Sequence, residues 1–174
     1  TASLPDAMNL LLLALIVLLA GASVVYRCVR RRPQDSGRAI IRDVLAGVAV
    51  YGLIGPLIGL LVVTVTISLP ATLFSLDGVR TAYLFGAMPA VLCGVTAGAF
   101  KPARTSWRTP AWVCVAGALY GFVFILSVFG AHRLGYVIDA GKAGALPGLA
   151  AAIVCTLLFY GRPQQGFGAA TQGQ

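Results

Sequence analysis

Glutamate is absent from this 174-residue chain, and the five acidic residues are all aspartate: Asp6, Asp35, Asp43, Asp77 and Asp139. Charge of either sign is scarce, at 10% of residues against roughly 25% in an average soluble domain. So little polar surface cannot cover a globule in water, which excludes an ordinary soluble fold. There is one histidine, His132, and none of the four cysteines (Cys28, Cys93, Cys114, Cys155) forms a CxxC. That pattern lacks metal-ligand spacing. No phosphate-cradling loop, dinucleotide fingerprint or haem-attachment pair occurs. No cofactor or metal is expected.

Catalysis in a membrane calls for an acid–base pair, an activated nucleophile or a metal. His132 stands beside Arg133 in a short turn, and Asp77 and Asp139 fall in separate segments next to basic residues. These are read as solvated or ion-paired surface groups, and the chain as non-enzymatic. The formal net charge of +8 could suggest nucleic acid. The basic residues, however, sit in short segments between apolar runs, where membrane topology already requires them. Nucleic acid is therefore not an expected partner.

What the chain has is apolar length: 59% hydrophobic residues and a mean hydropathy of +0.90. A helix needs about 20 apolar residues to cross the hydrocarbon core. Five runs qualify, at 8–26, 44–67, 81–100, 110–129 and 143–160, followed by a Gly- and Gln-rich tail at 162–174. Residues 1–161 are thus expected to form one transmembrane helical domain. Ser36 is a candidate N-cap that would start the second helix earlier, with Arg38 and Arg42 at the interface. The segment 130–142 reads as a turn, which leaves the fifth run the shortest.

The first run is not read as a cleaved signal, although Ala20-Gly21-Ala22 resembles a cleavage site. Its preceding flank carries Asp6 and no basic residue, while Arg27, Arg30, Arg31 and Arg32 follow it. A cytoplasmic first loop puts ten basic residues inside (Arg27, Arg30, Arg31, Arg32, Arg38, Arg42, Lys101, Arg104, Arg108, Arg162) and three outside (Arg80, Arg133, Lys142). The positive-inside bias then predicts N-terminus out and C-terminus in. Tyr26, Trp107, Trp112 and Tyr160 fall at the inside interface and Tyr83 and Tyr136 at the other, the headgroup level that amphipathic rings prefer. Arginine outnumbers lysine eleven to two. That bias suits GC-rich coding and a bacterial inner membrane.

Small residues four apart let helices approach closely in lipid. Gly55/Gly59, Gly94/Gly98, Gly117/Gly121 and Gly144/Gly148 supply one such pair to each of spans two to five. The first span has none and is rich in Leu. A glycine-packed bundle of spans two to five is predicted, with span one at its periphery. Pro56 and Pro89 fall near the middle of spans two and three, where each removes a backbone donor. Interrupted helices at the midplane are one way to build a solute site. Such a site would lie between Pro56 and Pro89, near Tyr51 or Thr96. The cluster Arg27, Arg30, Arg31 and Arg32 serves as topological anchor and as a contact for anionic lipid or a protein partner.

Two functions follow as expectations. One is a non-catalytic subunit or accessory component of a membrane assembly, packed against other membrane subunits or itself. The other is a small transporter or binding component for an apolar or weakly polar solute.

Overall fold

The computed structural model describes residues 4–30, 36–66, 75–101, 107–129 and 134–161. Arg31, Arg32, Arg104, His132, Arg133, Arg162, the side chain of Tyr136 and the tail 162–174 lie outside the described residues. Among those described, all regular structure is helical: α1 (Leu4–Val29), α2 (Gly37–Thr66), α3 (Leu76–Ala99), α4 (Arg108–Phe129), α5 (Leu134–Ala140) and α6 (Leu146–Tyr160). A π-helical turn, Gly141–Ala145, joins α5 to α6. Among the described residues, five helices are long and apolar enough to cross a membrane, the last running from Val137 to Tyr160. The chain is a multi-pass membrane protein.

Local chemistry sets the helix ends. Ser36 opens α2, its hydroxyl accepting the Ala39 N–H at 3.2 Å. Ser75 is extended and its hydroxyl accepts the Gly78 N–H at 3.4 Å, while Asp77 places a carboxylate in the first turn of α3. Both features satisfy the orphan donors and positive dipole of a helix start. Gly161, with φ of 74°, ends α6 in the left-handed region that glycine adopts without penalty.

The fifth span is longer than expected. Residues 134–142 are helical, so the predicted turn over 130–142 is corrected at its C-terminal part. Gly135, Asp139 and Gly141 gave that stretch its turn-like composition. The π turn immediately precedes Pro147, whose ring would clash with the carbonyl of Ala143 in a regular ladder. Within the turn, the Leu146 N–H instead reaches back five residues to the Gly141 carbonyl. The wider turn carries the helix across a position where a regular one would break.

Helices α2 to α6 form two close pairs. In the α2–α3 pair, a Cβ on Gly47 would run into the Gly94 carbonyl, and one on Gly98 would stand 2.6 Å from the Asp43 carbonyl oxygen. In the pair of α4 with the π turn and α6, a Cβ on Gly121 would strike the Gly144 carbonyl, and one on Gly148 the Gly117 carbonyl. Backbone touches backbone at both crossings. A Cβ on Gly55 would meet the Ala90 methyl at 3.0 Å, whereas one on Gly59 would face Pro147 of the other pair at an ordinary 3.8 Å. Gly47 belongs to no GxxxG in the sequence, yet it sits at the tightest point of the first pair.

Helix α1 packs on α3 and α4 and turns Leu10, Leu11, Leu18 and Val25 outward. Its buried side includes Ile16 and Ala20, fully or almost fully covered.

Candidate functional site

The two pairs meet firmly at one end of the bundle and enclose space at the other. At the first end, hydrogen bonds cross between them. Tyr51 on α2 and Thr156 on α6 share one at 2.6 Å, and Thr96 on α3 and Tyr120 on α4 share another at 2.9 Å. Tyr160 donates to the Ala97 carbonyl at 2.5 Å, and the Cys93 thiol to the Val113 carbonyl at 3.7 Å. Buried hydroxyls in an apolar setting need such partners, and here each finds one on a neighbouring helix.

A buried charge cluster lies at the same end. Arg27 of α1 donates to the Asp43 carboxylate at 2.9 Å and to the Gly98 carbonyl at 2.5 Å. Lys101 takes the other Asp43 oxygen at 3.0 Å, and its ammonium stands 5.2 Å from the centre of the Phe159 ring. Asp43 and Arg27 are each 8% exposed. A carboxylate between two cations, with a backbone carbonyl accepting a further Arg27 N–H, is an arrangement that can sustain charge out of water. It fastens α1, α2 and the end of α3 at one point. Arg27 was expected at the headgroups; the structure turns it inward. Arg30 stays exposed, 5.5 Å from the Tyr26 ring.

Towards the opposite end, where α3 begins at Ser75, a cavity of about 530 Å³ separates the pairs. Pro56, Gly59 and Pro89 line it from the α2–α3 side, and Gly121, Gly148 and Ala151 from the α4–α6 side. Tyr51 and Cys93 close its floor; Phe129, Ser75 and Asp77 mark where it reaches the helix ends. Much of the wall is glycine, alanine and proline, with Leu60, Phe85, Phe124, Ile125 and Phe129 among them. The glycines that bring the partners of each pair together have no side chain to send across to the other pair.

The sequence-derived candidates therefore separate. Pro56 and Pro89 come together on one cavity, with Tyr51 beneath them; a Cβ added to Gly86 would stand 3.4 Å from the Cα and Cβ of Pro56. Thr96 is not on the wall and is bonded to Tyr120 instead. Asp77 is at the rim, while Asp139 is exposed and lines no part of the cavity. Sequence reasoning missed the Arg27–Asp43–Lys101 cluster. Its one signal was an aspartate among apolar residues, one turn before Gly47.

The chain matches no known protein family, curated protein or solved structure. Its geometry alone carries the functional reading. The volume falls within the roughly 300–1,000 Å³ of ordinary small-molecule sites. The polar groups at the floor are already engaged with Thr156 and Val113, so what the interior offers a ligand is dispersion contact and exclusion of water.

Proposed function

We propose that this chain is a non-catalytic membrane protein that holds an apolar or weakly polar solute in the cavity between its two helix pairs. It would act as a small transporter or as the solute-binding component of one. The observation that carries this reading is the apolar cavity of about 530 Å³ lined by both midplane prolines. Proline 56 and proline 89 interrupt the backbone ladder beside the place where a solute would rest, which suits helices that must yield to admit it. The glycine crossings act, on this reading, as fixed seams around which the looser end adjusts.

The orientation we infer is N-terminus out and C-terminus in, from the ten-to-three division of basic residues, in a bacterial inner membrane. The cavity then reaches the outer side and the charge cluster lies towards the cytoplasm. Cysteine-accessibility mapping at Ser75 and Ser36 tests this directly. Ser75 is expected to label from outside and Ser36 from inside; the reverse result inverts the assignment.

The binding test is extraction into native polymer discs without detergent, followed by native mass spectrometry and photolabelling with a compact apolar diazirine. One retained small molecule, or labels on the cavity walls, is the expected result. An empty protein with labels only on lipid-facing positions such as Leu57 and Leu61 would reject the reading.

Membership of a larger membrane assembly rests on a different observation, the Leu-rich outward face of α1. Co-purification at native expression level distinguishes it: a lone monomer argues against a partner, whereas a stoichiometric membrane partner supports one.

A further inference from the structure

We infer that the cavity takes the single hydrocarbon chain of an amphiphile, with its polar head held at the Ser75 rim. This rests on the solute-binding reading and specifies its ligand class.

Shape is the first argument. On α2 the lining runs from Tyr51 to Val63, roughly 18 Å at 1.5 Å per residue. A lining that extends this far along the helix axis suits an extended chain better than a compact ring system.

Polarity is the second. The floor is Tyr51 and Cys93, whose polar atoms are bonded to Thr156 and Val113. A ligand's deep end therefore gains nothing from a polar group and must be apolar. The middle is apolar, with glycine, alanine and proline beside Leu60, Phe85, Phe124 and Ile125. At the rim the Asp77 carboxylate lines the cavity, beside the hydroxyls of Ser75 and Thr81 that bond the Gly78 N–H and the Asp77 carbonyl. A head that brings hydrogen-bond donors to Asp77 matches that end. The gradient from apolar floor to polar rim is the gradient of an amphiphile.

Packing is the third. An apolar void stays dry and its lining forfeits dispersion contacts. A chain drawn from the surrounding bilayer restores them with no new polar group to satisfy.

The test uses single-chain phosphoethanolamine amphiphiles carrying a diazirine either near the head or at the chain end, added to the full-length protein in lipid nanodiscs. Cross-links are mapped by tandem mass spectrometry. The near-head probe is expected on Thr81, Phe85 or Phe129, and the chain-end probe on Tyr51, Cys93 or Ala152. In Gly59→Leu the floor cross-links should be lost while rim cross-links persist. The first atom of the new side chain is accommodated without a clash, because a Cβ there meets only Pro147 at 3.8 Å. Ala151→Leu narrows the slot from the opposite wall and repeats the measurement if the first variant folds poorly. Labelling whose depth does not follow the diazirine position overturns the inference. So does labelling of the walls by the compact probe but not by the chain, which would leave solute binding standing. If neither probe reaches the walls, both readings fall together.

Discussion

At the Arg27 end, three helices meet around one carboxylate, and hydroxyls bridge the helix pairs. At the Ser75 end, the same pairs stand apart around the cavity. Both ends carry polar side chains. What separates them is that those at the first bond across from one pair to the other. In lipid, apolar burial gives little preference for one helix arrangement over another, so close packing and polar contacts set it. The comparison teaches that a few polar groups suffice to make one end of a bundle rigid in register while the other keeps volume.

The contrast can be broken most severely at Asp43. Asp43→Ala would remove the carboxylate that Arg27 and Lys101 share. Losing one member of a buried ion cluster costs about 3–5 kcal/mol. Equilibrium unfolding in mixed micelles should register it, and Arg27→Met placed on the same background should recover part of the loss. If the single variant is as stable as wild type, the cluster does not hold the Arg27 end.

Next in size are the crossings. Gly121→Val would drive two methyl groups towards the Gly144 backbone and should cost about 1–3 kcal/mol as overpacking. Gly59→Ala is the matched control, expected within about 0.5 kcal/mol of wild type. Equal effects at the two sites would mean that the crossing geometry is not what the second pair relies on.

A smaller effect is expected at the bridge over the cavity floor. Tyr51→Phe removes one side of the Tyr51–Thr156 hydrogen bond. Interhelical hydrogen bonds in membranes average about 0.6 kcal/mol in double-mutant cycles. A cycle with Thr156→Val should return a coupling of that order. Zero coupling would remove the bridge from the features that close this end.

The least effect on stability is expected from filling the hollow. Gly59→Leu extends an apolar side chain from the cavity wall, where a Cβ would meet Pro147 at 3.8 Å, and should leave the unfolding midpoint level or raised, while excluding whatever the cavity holds. A clear loss of stability would show that the space is smaller than its walls suggest, and would sharpen the comparison by shrinking one side of it.

Much of this architecture is legible in the sequence, for physical reasons. Apolar runs of membrane length announce spans because nothing else crosses hydrocarbon so economically in polar groups. Ser36 announced the early start of α2 through its capping chemistry. Pro56 and Pro89 marked the depth at which the cavity lies. Three features were not legible. Asp43 and Lys101 are 58 residues apart, and separation along the chain carries no information about distance across a bundle. Gly47 has its close neighbour on another helix, so no spacing within α2 reveals it. The helical stretch 134–142 carries turn-forming residues, and tertiary packing overrides their preference. Glycine pairs were also read as places where helices close up. The sequence has no means of saying that the same residues, seen from the other pair, leave a gap.

The Arg27 cluster also bears on the order in which the protein is made. Arg27 belongs to the first helix to emerge, and its carboxylate follows only sixteen residues later, on the second. The Gly98 carbonyl and the Lys101 ammonium arrive with the third. A nascent chain that has released α1 and α2 can therefore neutralise Arg27 as a hairpin, before α3 exists. The third helix, against which α1 packs, then docks and completes the charge set. Chains halted after α2 are accordingly expected to insert their first two helices less completely in the Asp43→Ala form than in wild type, read by the accessibility of a cysteine at Ser36. Equal insertion in both would show that the charges merely meet once the bundle is complete.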